Sequence, residues 1–299
     1  MEHFADRLAE AVRRCGNGVL VGLDPRWESL PAPLRSATGK PSLQEVADAF
    51  RVFCQGVIDV VAPQVAVVKP QAAFFEDVGP PGMQALADVI AHARRRGLLV
   101  ILDGKRNDIG TTAAAYASAY LGVDSPWGAD AMTVSPYLGD DSLSPFLEVA
   151  RRRGAGVFVL VKTSNPGGGR FQDLRADGLT LYQHVARFVE ERAAESLGAC
   201  GYGSVGAVVG ATYPEQLAEL RSAMPHTWFL VPGFGAQGAT AKDVRAAFDG
   251  VGLGAIVNSS RAIIFAHSRP EFQGRFGDGR WQDAVEAATR QMIEELRST

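Results

Sequence analysis

The sequence predicts an α/β fold, a (β/α)8 TIM barrel formed as one domain over residues 1–299. Three observations carry that expectation. Eight short apolar runs recur along the chain, stretches of helical character separate them, and polar residues follow nearly every run. Several runs are apolar throughout, as parallel strands covered on both faces should be. A doubly wound open sheet satisfies the same alternation and stays open as the alternative.

The elements follow in order. Val19–Asp24 is the first predicted strand and ends on a carboxylate; Leu43–Val61 is the helix after it. Val65–Lys69 is the second strand, ending on a lysine, and Gly82–Arg96 is helical. Leu98–Asp103, Ala131–Ser135 and Val157–Val161 are the third to fifth strands. Thr180–Ala194 and Pro214–Met224 are helices on either side of the sixth strand, Val205–Val209. Trp228–Val231 and Ala255–Val257 complete the set, and the chain from Arg269 onward reads as a loop and a last amphipathic helix. Two triple-arginine runs, Arg94–Arg96 before Gly97 and Arg151–Arg153 before Gly154, have the composition of helix C-termini. Cations suit the negative end of the helix dipole and glycine suits the left-handed position beyond it, so neither run is read as a phosphate or RNA site.

Composition narrows the function. A net charge of −3, with 46% hydrophobic and 21% charged residues, argues for a globular chain with a sizeable core and against a nucleic-acid binder. There is no apolar stretch of membrane-spanning length, and the first residues do not read as a signal peptide. The scattered cysteines, Cys15, Cys54 and Cys200, offer neither a disulfide framework nor metal-ligand spacing. Reduced thiols in a cytoplasmic protein are the expectation.

In a barrel the chemistry gathers where the strands end. The third strand runs into Asp103-Gly-Lys105-Arg-Asn-Asp108, and alternation along a strand sends Asp103 and Lys105 to one face. Carboxylates on both sides of an ammonium are tolerable at a strand mouth only when they pair with it, and they hold it charged. Such a group is suited to delivering a proton to carbon. Lys69 should point into the same mouth and neutralise Asp103, and Asp24 is placed to accept hydrogen bonds from sugar hydroxyls. After the seventh and eighth strands, Pro232-Gly233-Phe-Gly235-Ala-Gln237 and Asn258-Ser259-Ser260-Arg261 combine backbone amides with a guanidinium, a phosphate-binding composition. Ser164, in Thr163-Ser-Asn-Pro-Gly-Gly-Gly169, lies on a segment suited to closing over a ligand. Lys162 could serve as a Schiff-base lysine, although nothing else in the chain supports that chemistry. None of the five histidines falls at a strand mouth, which argues against histidine acid–base catalysis.

These residues resemble the orotidine 5′-phosphate decarboxylase family. Asp103-x-Lys105-x-x-Asp108-Ile109-x-x-Thr112 is similar to its central motif, and Leu23-Asp24, Val68-Lys69-Pro70, Ser164-x-Pro166-Gly167, Pro232-Gly-x-Gly-x-Gln237 and Ser259-Ser260-Arg261 follow in family order. The wording around Asn165-Pro166 and Asn258–Arg261 resembles the longer bacterial subgroup, type 2. The resemblance implies a cytoplasmic homodimeric carboxy-lyase. It would convert orotidine 5′-monophosphate to uridine 5′-monophosphate and CO2, the last step of UMP biosynthesis, with no cofactor or metal. Lys105 would be the proton donor to C6, flanked by Asp103 and by Asp108 of the neighbouring subunit, with Lys69 completing the array. Asp24 and Lys69 would meet the ribose, Thr112 would reach across the interface and Ser164 would bond the pyrimidine. Gly233, Gln237, Ser260 and Arg261 would hold the phosphate.

Related phosphosugar enzymes, the 3-keto-gulonate 6-phosphate decarboxylases and hexulose phosphate synthases, share Asp-x-Lys-x-x-Asp but depend on magnesium and are expected to carry a carboxylate where this chain has Lys69. A lysine repels magnesium, which needs oxygen ligands. A non-catalytic nucleotide-binding barrel would need the phosphate end without the costly lysine–aspartate array.

Overall fold

Runs of Val, Ile and Leu that are apolar on both faces are stable only when both faces are covered, and closure into a barrel wrapped by helices achieves this. The computed structural model, which describes residues 2–35, 39–235 and 240–298, has that architecture. Its strands are β1 (Val19–Leu23), β2 (Val67–Pro70), β3 (Leu99–Arg106), β4 (Ala131–Val134), β5 (Gly156–Lys162), β6 (Arg175–Ala176), β7 (Leu179–Thr180), β8 (Val205–Val209), β9 (Phe229–Val231) and β10 (Ala255–Ser259). All except β6 and β7 form one closed parallel barrel in the order β1-β10-β9-β8-β5-β4-β3-β2; β6 and β7 pair as a small antiparallel hairpin. Closure excludes the open-sheet alternative.

The helices are α1 (Phe4–Cys15), α2 (Leu43–Val61), α3 (Ala72–Glu76), α4 (Gly79–Arg95), α5 (Gly110–Tyr120), α6 (Asp140–Arg153), α7 (Gly169–Gln172), α8 (Leu181–Ala194), α9 (Pro214–Ala223), α10 (Ala241–Val244), α11 (Arg261–Ile264), α12 (Pro270–Gln273) and α13 (Trp281–Arg297). Local chemistry fixes their ends. A Ser42–Glu45 capping box starts α2, and α4 begins earlier than its apolar periodicity indicates because Pro80 and Pro81 fit a first helical turn. Both arginine runs end helices as expected: α6 closes on Arg151–Arg153 with Gly154 left-handed, and Arg153 also donates to the Ser118 and Leu121 carbonyls beside α5. The C-terminal α13 packs on α2, with the Phe53 and Trp281 rings 5.1 Å apart.

Buried side chains sort by the two-residue period of the strands. Val19, Val21 and Leu23 join the shell between barrel and helices, whereas Leu20, Val67, Leu99, Ile101, Ala131, Phe158, Val208, Leu230 and Ile256 pack in a second cluster inside the barrel. The same inner cluster includes Phe4, Leu8 and Val12 of α1, an element the sequence reading did not single out. Helix α1 therefore plugs the N-terminal end of the barrel. Phe4 meets Phe158 edge-on at 6.1 Å, and Gly156 leaves room for the Phe4 ring, which a Cβ there would strike at 2.3 Å.

A polar clasp holds the plug. Arg7 donates to Asp130 Oδ1 at 2.6 Å and to the Gly154 carbonyl at 3.0 Å, while Asp130 Oδ2 accepts the Val100 amide at 2.9 Å. Arg7→Met leaves the buried Asp130 carboxylate without its cation. It is expected to lower the unfolding free energy by about 2 kcal/mol, below the full cost of breaking a buried pair because Arg7 is partly exposed. Urea unfolding measures the loss, and an unchanged midpoint would mean that α1 is held by its apolar face alone.

Candidate active site

Two residues beyond each interior side chain, the same strand face reaches the C-terminal mouth, and there the chemistry changes from apolar to polar. Val67 is succeeded by Lys69, Ile101 by Asp103, Ala131 by Thr133 and Ile256 by Asn258. Leu160, Val208 and Leu230 supply an apolar floor. Together these residues enclose a cavity of about 420 Å³, within the range of small-ligand sites.

Asp103 is the centre of the arrangement. Its Oδ2 accepts from Lys69 Nζ at 2.7 Å, and its Oδ1 accepts from Lys105 Nζ at 2.6 Å and from Thr133 Oγ1 at 2.9 Å. Burial alone would push the Asp103 carboxyl up, but the ammonium groups of Lys69 and Lys105 outweigh it and hold it well below the usual carboxylate range. Burial alone would likewise pull the Lys69 ammonium down; Asp103 and then Asp24 reverse this and hold it above the usual lysine value. Both groups of the inner pair are thus ionised.

Lys105 reaches this position by a different route from simple alternation. Between Leu102 and Arg106 the pairing of β3 with β4 slips, and Lys105 adopts φ +46°, a left-handed conformation uncommon for a side-chain-bearing residue. The Lys105 amide donates to Thr133 Oγ1 at 2.9 Å, and Arg106 braces the bulge by bonding the Gly104 carbonyl at 2.9 Å and pairing with Glu76. Strand β3 is therefore longer than its apolar run. While the Lys69 side chain is 4% exposed, that of Lys105 is 47% exposed, so the pocket is open at Lys105 rather than closed around it.

The first and last strands complete the wall. Gly22 on β1 faces Ser260, and a Cβ at Gly22 would lie 1.9 Å from Ser260 Oγ, so only glycine permits this approach. Asp24 Oδ1 and Asn258 Oδ1 are buried without protein hydrogen-bond partners, two acceptors at the cavity where a ligand donor would satisfy them. Gly233, Ser260 and Arg261 line one part of the cavity, and Ser164 lines it beside Thr163 and Asn165.

The structure thus brings Asp24, Lys69, Asp103, Lys105, Ser164, Gly233, Ser260 and Arg261 to one cavity. Asp108 and Thr112 stand apart from its wall. Asp108 Oδ1 accepts the Ile109 amide at 2.8 Å, and Thr112 is exposed on the first turn of α5. Gln237 lies outside the described residues. Sequence reasoning placed Asn258 at the mouth within the Asn258–Arg261 run but missed Thr133; stepping by two from the interior residue Ala131 of β4 finds it. Lys162 is no Schiff-base candidate, because its ammonium pairs with Asp173 away from the cavity wall.

A closed barrel with two ammonium groups on one buried carboxylate, and an arginine nearby, defines a barrel-type active site for an anionic ligand. Comparison with known proteins makes this specific. A model of the orotidine 5′-phosphate decarboxylase / HUMPS family matches residues 19–273. The chain is 61% identical to an orotidine 5′-phosphate decarboxylase of Rhodopirellula baltica, over 99% of this chain and 100% of that protein. Its identity to the Deinococcus radiodurans enzyme of the same name is 45%, over 88% and 89% of the two chains. Among solved structures, Leishmania donovani OMP decarboxylase superimposes with a TM-score of 0.76 at 34% identity, covering 99% of this chain and 98% of that one. The chain belongs to the orotidine 5′-phosphate decarboxylase / HUMPS family.

The Asp103 array makes a stability prediction. Asp103→Asn strips the counter-charge from the buried Lys69 ammonium and is expected to cost about 3 kcal/mol of unfolding free energy. Adding Lys69→Met should recover most of that loss. Since folding depresses the Asp103 carboxyl, its contribution is complete above the ordinary value of 3.8 and is lost only as pH falls through the lower folded value. Chemical denaturation of the single and double variants at neutral pH tests the pairing; equal stability of wild type and Asp103→Asn would contradict it.

Proposed function

We propose that this protein decarboxylates orotidine 5′-monophosphate to uridine 5′-monophosphate and CO2, the last step of UMP biosynthesis, by metal-free stabilisation and protonation of a C6 carbanion. The observation that carries the reading is the Lys69–Asp103–Lys105 array at the mouth of a barrel of this family. When the bond from C6 to the carboxylate breaks, CO2 departs and the electron pair stays on C6. The fixed Lys105 ammonium stabilises that developing charge without reorganising, then gives C6 a proton and is recharged from solvent. Asp103 keeps Lys105 aimed by a 2.6 Å hydrogen bond.

The remaining residues bind and orient. Asp24 and Lys69 meet the ribose, the unpartnered Asp24 oxygen accepting a hydroxyl. Ser164 bonds the pyrimidine, and Gly233, Gln237, Ser260 and Arg261 take the phosphate. Such contacts, remote from the reacting carbon, lower the barrier through positioning. Both Asp103 oxygens are engaged by ammonium groups, at 2.7 and 2.6 Å, so this carboxylate is not free to ligate a divalent cation. That favours chemistry without a metal over the magnesium-dependent phosphosugar reactions.

The working unit in this reading is a cytoplasmic homodimer of single-domain subunits. Asp108 and Thr112 sit outside the cavity of their own subunit, which supports their serving the neighbouring one, and the exposed Ile109, Tyr137 and Leu138 side chains supply apolar surface for the contact. No helix among the described residues is long and apolar enough to cross a membrane.

Ultraviolet-monitored turnover of orotidine 5′-monophosphate in a chelating buffer is expected for wild type, with kcat reduced about 10⁴-fold in Lys105→Ala as the proton donor is lost. Activity on a phosphosugar only after magnesium is added would overturn the reading. Mixing inactive Lys105→Ala and Asp108→Ala subunits should restore activity, because each mixed dimer then has one site with neither substitution. Mixtures as inactive as their components would place Asp108 in its own subunit's site or outside catalysis.

A further inference from the structure

One buried ammonium has no part in the array. Lys162 ends β5, and the alternation that sends Phe158 and Leu160 inward would aim it into the mouth. The pairing of β5 with β8 slips between Leu160 and Lys162, and this bulge turns the side chain out towards α8 and α9. Its Nζ lies 5.1 Å from the ring centre of Tyr182 and 5.4 Å from that of Tyr213. The side chain is 2% exposed and pairs with Asp173, at the end of α7.

That pair closes a short loop of chain back on β5. Gln172, beside Asp173, accepts the Thr163 amide at 3.1 Å and donates to Thr163 Oγ1 at 2.8 Å, and Thr163 Oγ1 donates to Asn165 Oδ1 at 2.7 Å. Ser164 stands in the middle of this mesh. Its backbone packs on Gly210 so closely that a Cβ there would meet it at 2.9 Å, and its carbonyl accepts from Thr212 at 3.4 Å.

We propose that the Lys162–Asp173 pair is a positioning device for Ser164, locking the segment from Thr163 to Asp173 onto the barrel so that the Ser164 hydroxyl is fixed at the cavity. A buried ammonium between two aromatic rings cannot release its carboxylate without a large desolvation cost, so the segment is held from inside the protein rather than by its exposed surface. The inference rests on the proposed contact between Ser164 and the pyrimidine, and it gives the residues after Gly167 a task in the reaction.

Asp173→Asn is the suitable variant, since the Asp173 side chain is half-exposed and the change preserves its shape. Steady-state kinetics with orotidine 5′-monophosphate, alongside thermal midpoints, are measured for wild type, Asp173→Asn, Ser164→Ala and the double variant. Misplacing a binding group lowers kcat/KM by about tenfold or more, so Asp173→Asn should lose that factor when Ser164 is present. It should lose less than about twofold when combined with Ser164→Ala, since no hydroxyl is left to misplace. Thermal midpoints should shift alike in both backgrounds. An equal kinetic loss in both, no loss in either, or a Ser164→Ala enzyme as active as wild type would overturn the inference while leaving the decarboxylase reading intact. A wild type without turnover would overturn that reading instead.

Discussion

The geometry of the mouth depends on one carboxylate. Asp103 is buried, and burial by itself would neutralise it; two ammonium groups and a threonine hydroxyl keep it charged. In return it fixes the direction of both lysines, one sealed in the barrel and one facing the open pocket. An isolated ammonium in the Lys69 position would carry a desolvation penalty of several kcal/mol, so the buried Lys69 charge depends on Asp103. The electrostatic field at the mouth is therefore part of the folding energetics of the barrel.

Around that carboxylate, the fold and the site are two readings of one periodicity. Residues inside the barrel and residues at its mouth alternate with the shell on the same strands, which is why Val67 leads to Lys69 and Ile101 to Asp103. Most of this was legible in the sequence. The apolar runs marked the strands, and polar residues after them marked the mouth. The arginine–glycine pairs marked helix ends, because dipole and backbone sterics act locally.

What escaped the sequence was non-local or irregular. The plug made by α1 depends on Phe4 meeting Phe158 far along the chain, and no local pattern announces it. Thr133 was hidden because a single threonine in Ala131–Val134 reads as an ordinary strand residue until its hydroxyl is seen on Asp103. The bulges in β3 and β5 are the sharper case. Each breaks alternation by inserting residues opposite a regular neighbour, one turning Lys105 towards Asp103 and the other turning Lys162 away from the cavity. A strict period of two would have placed both lysines inward, and it is right for one and wrong for the other.

The tight approach of Gly22 to Ser260 has a consequence for how the protein is made. The seam that closes the barrel joins β1 to β10, so the wall of the site is assembled from residues that leave the ribosome early and late. Asp24 shares this wall with Asn258, Ser260 and Arg261, which lie more than two hundred residues further along the chain. Contacts this distant in sequence form late and slowly, and sheets left open in the meantime are prone to association. No partial chain ending before the last strand contains a finished cavity. The cavity is thus a property of the closed barrel alone, since its wall needs both the first strand and the last.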